Sequence, residues 1–185
     1  MGNNIILVGF MGAGKTTIGR ALAERLGLTF ADTDDVVEEL AGMTIPEIFT
    51  AEGEGRFREI ERSAVALVAD RSGQVVSTGG GAVLSERNRE ALERAGMTVA
   101  LTASPKTLVA RLGASGSADR PLLAGDASAR IEQLLAQRAA LYAKARHAVS
   151  TDDRPVAEVV EEIVRLWEAY KAAGERAGPA SSAPR

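Results

Sequence analysis

The sequence contains no cysteine and only one histidine. The first absence excludes a disulfide framework and any thiolate metal site. The second excludes a multi-histidine metal centre and a cysteine–histidine nucleophilic pair. His147, isolated before "AVS", is expected to be structural. There is no strong excess of either charge: 22 Lys and Arg against 25 Asp and Glu leave −3. Nothing therefore pulls the chain as a whole toward nucleic acid or acidic membranes, and any anion binding has to be local. No apolar run is long enough to span a bilayer. The opening "MGNNIILVGF" lacks the basic start of a secretory signal, and glycine interrupts its apolar run. A cytoplasmic monomer without nucleic-acid or membrane partners is the expectation.

What is present is ordinary in bulk and specific in detail. The 185 residues are 45% hydrophobic and 25% charged, enough for one domain with a substantial core. Short β-branched runs alternate with longer helical periodicities. "IILVG" (5–9), "LTFAD" (28–32), "VVST" (75–78), "TVALTA" (98–103) and "HAVS" (147–150) read as strands. Between them, Ile18, Ala21, Leu22 and Leu26 mark a helix over 16–27 that stops at Gly27. Ser85 caps a helix ending at Gly96, Ser104 and Pro105 open another that ends at Gly113, and Pro155 opens the last. The pattern predicts an α/β three-layer sandwich around a parallel sheet. "GASGSADRPLLAGDAS" (113–128) reads as a long binding loop, and "AAGERAGPASSAPR" from Ala172 as a disordered tail.

"GFMGAGKT" (9–16) follows a predicted strand and opens a predicted helix, the setting in which G-x-x-x-x-G-K-[ST] binds phosphates. Gly9, Gly12 and Gly14 let the backbone wrap a phosphate with its N–H groups, and the helix start adds a positive dipole end. Lys15 supplies a point charge to the terminal phosphates and Thr16 a hydroxyl for Mg²⁺. A nucleoside triphosphate with Mg²⁺ is the inference. Switches, motors and small-molecule kinases share this loop, so the remaining residues have to choose among them.

"FADTDD" (30–35) places acids at the strand end that faces the phosphates. In extended backbone Asp32 and Asp34 point the same way, one toward Mg²⁺ and the other toward an acceptor hydroxyl. Asp35, three residues before Glu38, fits a helix cap. In "RFREIERSAVALV" (56–68) the core face is read as Phe57, Ile60, Ala64, Leu67 and Val68. Arg58 sits beside that face with Glu54 and Glu61 at ion-pair spacing; a solvated pair is the simpler account, an oriented anion ligand the other. In "ARIEQLLAQRAALYAKA" (129–145) Arg138 occupies an apolar-stripe position. A guanidinium there either snorkels to the edge or faces an anion in a cleft, and its planar fork suits a carboxylate or phosphate. Arg120, in the long loop, is either an exposed arginine or one that closes over the phosphates. "VVSTGGGAVL" (75–84) sets three glycines after a strand, a second stretch of backbone that something approaches closely.

Together these pieces resemble the shikimate kinases, from Asn4 to about Tyr170. The resemblance rests on "GFMGAGKTTIGRALA", "DTD" (32–34), "IPEIF" (45–49), "GEGRFREIE" (53–61), "STGGGAV" (77–83), "RPLL" (120–123) and "RAALY" (138–142), in that order. It implies a five-stranded parallel sheet of the P-loop NTPase, nucleoside-monophosphate-kinase-like type. It implies one kinase domain over 1–171, with an acceptor region at about 33–61, a lid at about 113–125 and a tail over 172–185. The implied reaction converts ATP and shikimate to ADP and shikimate 3-phosphate, with Mg²⁺ as cofactor. The catalytic residues would be Lys15, Asp34 and Arg120. Nucleotide contacts would come from Gly12, Ala13, Gly14, Lys15, Thr16 and Thr17, with Arg111, Arg120, Arg154 and Pro155 farther out. Shikimate would meet Asp34, Phe49, Phe57, Arg58, Gly79, Gly80, Gly81 and Arg138, and Thr16 and Asp32 would serve the metal. A kinase for another anionic polyol such as gluconate, or a nucleotide-binding regulator without catalysis, stand as the alternatives.

Overall fold

The β-branched and leucine-rich runs form five strands: β1 (Asn4–Gly9), β2 (Thr29–Asp32), β3 (Gln74–Ser77), β4 (Gly96–Thr102) and β5 (His147–Ser150). In the computed structural model, which describes residues 2–114 and 127–176, they build one all-parallel sheet in the order β2-β3-β1-β4-β5. Eight helices are described: α1 (Lys15–Leu26), α2 (Thr33–Ala41), α3 (Ile45–Ala51), α4 (Gly53–Ala69), α5 (Glu86–Ala95), α6 (Pro105–Ala114), α7 (Ala127–Tyr142) and α8 (Val156–Arg176). β1 is buried along its whole length, as expected of a central strand with a helical layer on either side. α1 packs against α8 over one face, and α4 against α5 over the other.

Local chemistry sets the helix ends. Gly27 closes α1 in the left-handed region at φ 65°, a conformation that costs glycine little. The Ser85 hydroxyl accepts from the Asn88 N–H at the start of α5. The Ser104 hydroxyl accepts from the Thr107 N–H at the start of α6, directly before Pro105. Two boundaries differ from the sequence reading. α6 runs through Gly113 to Ala114, because one glycine inside a helix weakens it without ending it. α8 continues past Ala172 to Arg176, where the Arg176 Nε donates back to the Ala172 carbonyl. The first part of the expected tail is therefore helical, and the rest of it, with most of the expected lid, lies outside the described residues.

The main core joins the sheet to α1, the second half of α4, α5, α6, α7 and α8. A separate small cluster of Val37, Ile48, Phe57, Ile60 and Ala64 holds α2, α3 and the first half of α4 together. Along α4 the buried face is Phe57, Ile60, Glu61, Ala64, Val65 and Val68. These positions follow the helical period, whereas Leu67, assigned to the core from the sequence, turns outward and is 44% exposed. Among the described residues no helix is long and apolar enough to cross a membrane.

The register aligns the C-terminal strand ends. Asp32 pairs with Ser77, Leu7 with Ser77, Gly9 with Leu101, and Thr102 with Ser150. All five strands therefore end at one edge of the sheet, around the point where the chain order reverses beside β1. Ile163 of α8 is fully buried, away from that edge. Ile163→Ala is expected to lower stability by about 3 kcal/mol and the melting temperature by roughly 6–12 °C, measured by thermal denaturation. An unchanged midpoint would contradict the packing described.

Candidate active site

The turn after β1 enters α1 through Gly14, at φ 93°, and Gly12, at φ 78°. Side chains disfavour both conformations, which curl the backbone into a loop ahead of the helix start. Lys15 lies buried in this loop with its Nζ donating to the Phe10 carbonyl at 2.9 Å. Ala13 is fully buried, and Thr16 and Thr17 face outward. The Thr16 hydroxyl donates to Asp32 Oδ2 at 3.0 Å. Asp32 Oδ1 in turn accepts from the Asp34 N–H at 3.1 Å. Asp32 is therefore the cap of α2, a role the sequence reading gave to Asp35. The strand ends at Asp32, so Asp34 stands in the first helical turn, and the expected side-by-side extended arrangement of the two acids does not form.

Opposite the loop, β3 runs into Gly79, Gly80 and Gly81. None of the three has a left-handed φ, so space is what requires glycine here. A Cβ on Gly79 would stand 2.5 Å from Asp34 Oδ1. One on Gly80 would be 3.3 Å from the Met11 backbone nitrogen, and one on Gly81 would be 2.6 Å from an Arg58 terminal nitrogen. The missing side chains let an acid, the phosphate loop and an arginine converge on one strand end. Some of the backbone groups are engaged within the fold. The Gly79 N–H donates to the Thr33 hydroxyl at 2.9 Å, while the Gly80 carbonyl accepts from Arg138 at 3.2 Å and from Tyr142 at 2.7 Å.

Arg138 settles the choice between snorkelling and facing inward. It is 6% exposed and lies over the Phe10 ring, 5.7 Å from its centroid. Arg58 is the second cation. Its Nε and one terminal nitrogen donate to Glu54 at 3.3 and 3.0 Å, and the other terminal nitrogen to Glu61 at 3.0 Å. Both ion pairs foreseen from spacing form, but they differ: the Glu54 side chain is 66% exposed and that of Glu61 only 2%. Burial pushes the Glu61 carboxyl above its ordinary range, with Arg58 and then Arg138 pulling it partly back. Burial also works against the Arg58 charge, yet Glu61 and Glu54 hold its pKa above the usual value. The rings of Phe49 and Phe57 meet at a tilt of 33° with centroids 4.7 Å apart, and Arg58 lies over the Phe57 ring.

The described outer residues expected on the nucleotide side have partners within the chain. Arg111 donates to the Gly12 carbonyl and to both the hydroxyl and carbonyl of Thr151, which ties it to the back of the phosphate loop. Arg154 donates to the Ser150 carbonyl and pairs with Glu162 at 2.7 Å, just before Pro155 at the exposed start of α8. Arg120 lies outside the described residues. Glu61, as a buried charge, and Thr33, Tyr142 and Thr151 were not singled out from the sequence. Tyr142 had a signal, since it follows Arg138 by one helical turn on the same stripe. Two open grooves, of about 600 and 690 Å³, include none of the phosphate-loop or triple-glycine residues. The convergence of charged side chains on glycine backbone, more than volume, locates the site.

A family model described as SKI: Shikimate kinase matches residues 11–168. A shikimate kinase of Symbiobacterium thermophilum is 50% identical over 175 residues, covering 94% of this chain and 99% of that protein. Among solved structures, a shikimate kinase from Acinetobacter baumannii in complex with shikimate has a TM-score of 0.85 and 37% identity, covering 91% of this chain and 94% of that one. A gluconokinase from Sinorhizobium meliloti, at 22% identity and TM-score 0.59 over 90% of this chain and 94% of that one, shares the fold.

The Glu61 carboxyl has a folded-state pKa above its unfolded one. Its burial is therefore harmless while the group is protonated in both states, and destabilising as pH rises through the unfolded and then the folded pKa. Glu61→Gln lacks that penalty. Urea denaturation of both proteins between about pH 4 and pH 7 is expected to shift in favour of the variant as pH rises. A drift the other way would mean that ion pairing outweighs burial.

Proposed function

The chain belongs to the shikimate kinase family, and from that membership we propose how its residues transfer a phosphoryl group from ATP to shikimate. The product pair is ADP and shikimate 3-phosphate. The observation that carries the residue assignment is the meeting of Asp34, Arg58 and the phosphate loop at Gly79, Gly80 and Gly81.

Shikimate is a small anion with ring hydroxyls, and the two ends of the cluster suit its two ends. Arg58 and Arg138 flank the triple glycine with guanidinium groups that match a carboxylate. The exposed Glu54 is the partner Arg58 gives up at least cost when a substrate carboxylate arrives, since exposed pairs contribute little. Glu61 stays as the buried counter-charge that aims Arg58. Phe49 and Phe57 provide the apolar wall beside it. Asp34, against Gly79, orients the attacking hydroxyl and receives its proton. The hydroxyl oxygen forms a bond to the γ-phosphorus as the bond to the β–γ bridging oxygen breaks, and that electron pair leaves with ADP. Lys15 and the N–H groups of Gly12, Gly14, Lys15 and Thr16 stabilise the charge on the phosphates.

Thr16 and Asp32 fit Mg²⁺. A hydroxyl and a carboxylate 3.0 Å apart are hard oxygen donors, and this metal takes one or two protein oxygens beside phosphates and water. When bound, Mg²⁺ would screen the phosphate charge. We also propose a cytoplasmic monomer, in keeping with a cluster completed within one chain.

Measuring ADP release with shikimate, gluconate and nucleoside monophosphates in parallel tests the reading. Turnover is expected with shikimate; turnover of gluconate without shikimate, or ATP binding with no acceptor turned over, would contradict it. Arg138→Ala is expected to raise the shikimate KM at least about thirtyfold while the ATP KM changes little. An equal loss for both substrates would make Arg138 a folding residue.

A further inference from the structure

Thr151, immediately after β5, is a polar residue only 2% exposed. Its N–H extends the ladder to the Thr102 carbonyl at 2.9 Å. Its hydroxyl lies 3.2 Å from the Thr102 carbonyl and 3.3 Å from the Ala13 carbonyl, so one proton is shared between two acceptors. The same hydroxyl accepts from an Arg111 terminal nitrogen at 2.9 Å, and the Thr151 carbonyl accepts from the other at 2.7 Å. The first of those nitrogens also reaches the Gly12 carbonyl at 3.3 Å. Two successive carbonyls of the phosphate loop are thus held from behind by one threonine–arginine pair.

Peptide planarity gives this arrangement a consequence at the front of the loop. In a trans peptide the N–H points away from the carbonyl of the preceding residue, and no cis bond is present among the described residues. The Gly12–Ala13 peptide obeys this visibly: its carbonyl faces Arg111 and its N–H turns back to the Phe10 carbonyl at 3.2 Å. The next peptide has its carbonyl on Thr151, which sends the Gly14 N–H to the opposite side, at the cap of α1 where a phosphate binds. Leu112 and Leu108 of α6 pack close to Gly12, with 3.1 Å left to Leu112 for any added Cβ. Asp152 accepts from the Ser104 N–H and hydroxyl, fixing the start of α6 to the segment after β5.

We infer that Thr151 is a positioning residue for the nucleotide phosphates: acting through the Ala13 carbonyl and Arg111, it holds the Gly14 N–H in the phosphate-binding orientation. This rests on the reading of the loop as the ATP site and goes beyond it by naming what sets the loop's shape. Thr151 itself touches neither reactant.

Thr151→Val keeps the shape and removes the hydroxyl; Thr151→Ser restores it. ADP, inorganic tripolyphosphate and adenosine are measured as inhibitors, alongside the KM for shikimate. For Thr151→Val the inhibition constants of ADP and tripolyphosphate are expected to rise about tenfold, the change that leaving buried hydrogen-bonding groups without partners produces. Adenosine inhibition and the shikimate KM stay within about twofold, and Thr151→Ser returns the phosphate ligands to the native range. Unchanged ADP and tripolyphosphate inhibition would overturn the inference. So would a loss shared equally by adenosine and shikimate, or a serine variant that restores nothing. ADP binding to the variants can also be followed by calorimetry without acceptor, so a failure of shikimate as substrate is seen separately from a failure of this inference.

Discussion

Three positions without side chains at the end of β3 govern the geometry of the site. Residues 79–81 lie between the phosphate loop after β1, the acid-bearing start of α2, and the arginine-bearing helices α4 and α7. Asp34 and Arg58 come closer than a Cβ would allow and Met11 nearly so, while Arg138 bonds the Gly80 carbonyl, and the neighbours contribute different chemical properties. Asp34 brings a carboxylate, Arg58 and Arg138 bring positive charge, and Met11 brings the backbone of the nucleotide site. Adding volume at any of the three would push one reactant's binding groups away from the other's. Phosphoryl transfer depends strongly on such placement, because the protein's contribution is largely positioning and electrostatic stabilisation.

Charges of both signs meet around this strand end before any substrate arrives. Glu61 is buried against Arg58, and the electrostatic influence of Arg138 reaches it as well. Removing a carboxylate from water is unfavourable, and a buried ion pair is weak support for stability. Its value here is directional: with Glu61 on one side and exposed Glu54 on the other, Arg58 is aimed while its outer partner remains exchangeable. Gly80 completes the arrangement by accepting from both Arg138 and Tyr142, which locks α7 onto the strand end. On the nucleotide side, Thr151 and Arg111 hold the carbonyl face of the loop.

Much of this was legible because its signals are local. Gly27, Ser85 and the Ser104–Pro105 pair end or open helices through their own backbone and side-chain chemistry, and the phosphate loop is a contiguous motif. The errors arose where a tertiary partner decided the outcome. β2 ends at Asp32, so the cap fell to Asp32 and not Asp35. Apolar character favoured Leu67, but the buried face of α4 follows the helical period through Glu61 and Val65. The Gly79 N–H bond to Thr33 and the Gly80 carbonyl bonds to α7 join residues far apart in the chain, which no local pattern announces. Thr151 carried no signal, since a lone threonine after a strand looks like any other.

If the glycines create room for catalytic and binding side chains, two variants of the triplet will separate kinetically. Gly79→Ala intrudes on Asp34 and Gly81→Ala on Arg58. Gly79→Ala is expected to lower kcat on the order of a hundredfold with the shikimate KM little changed, because the hydroxyl-orienting group is displaced. Gly81→Ala is expected chiefly to raise the shikimate KM, with the ATP KM near native in both variants. Two variants with the same kinetic defect, or with none, would show that the triplet is a flexible turn and that the account of the site is wrong.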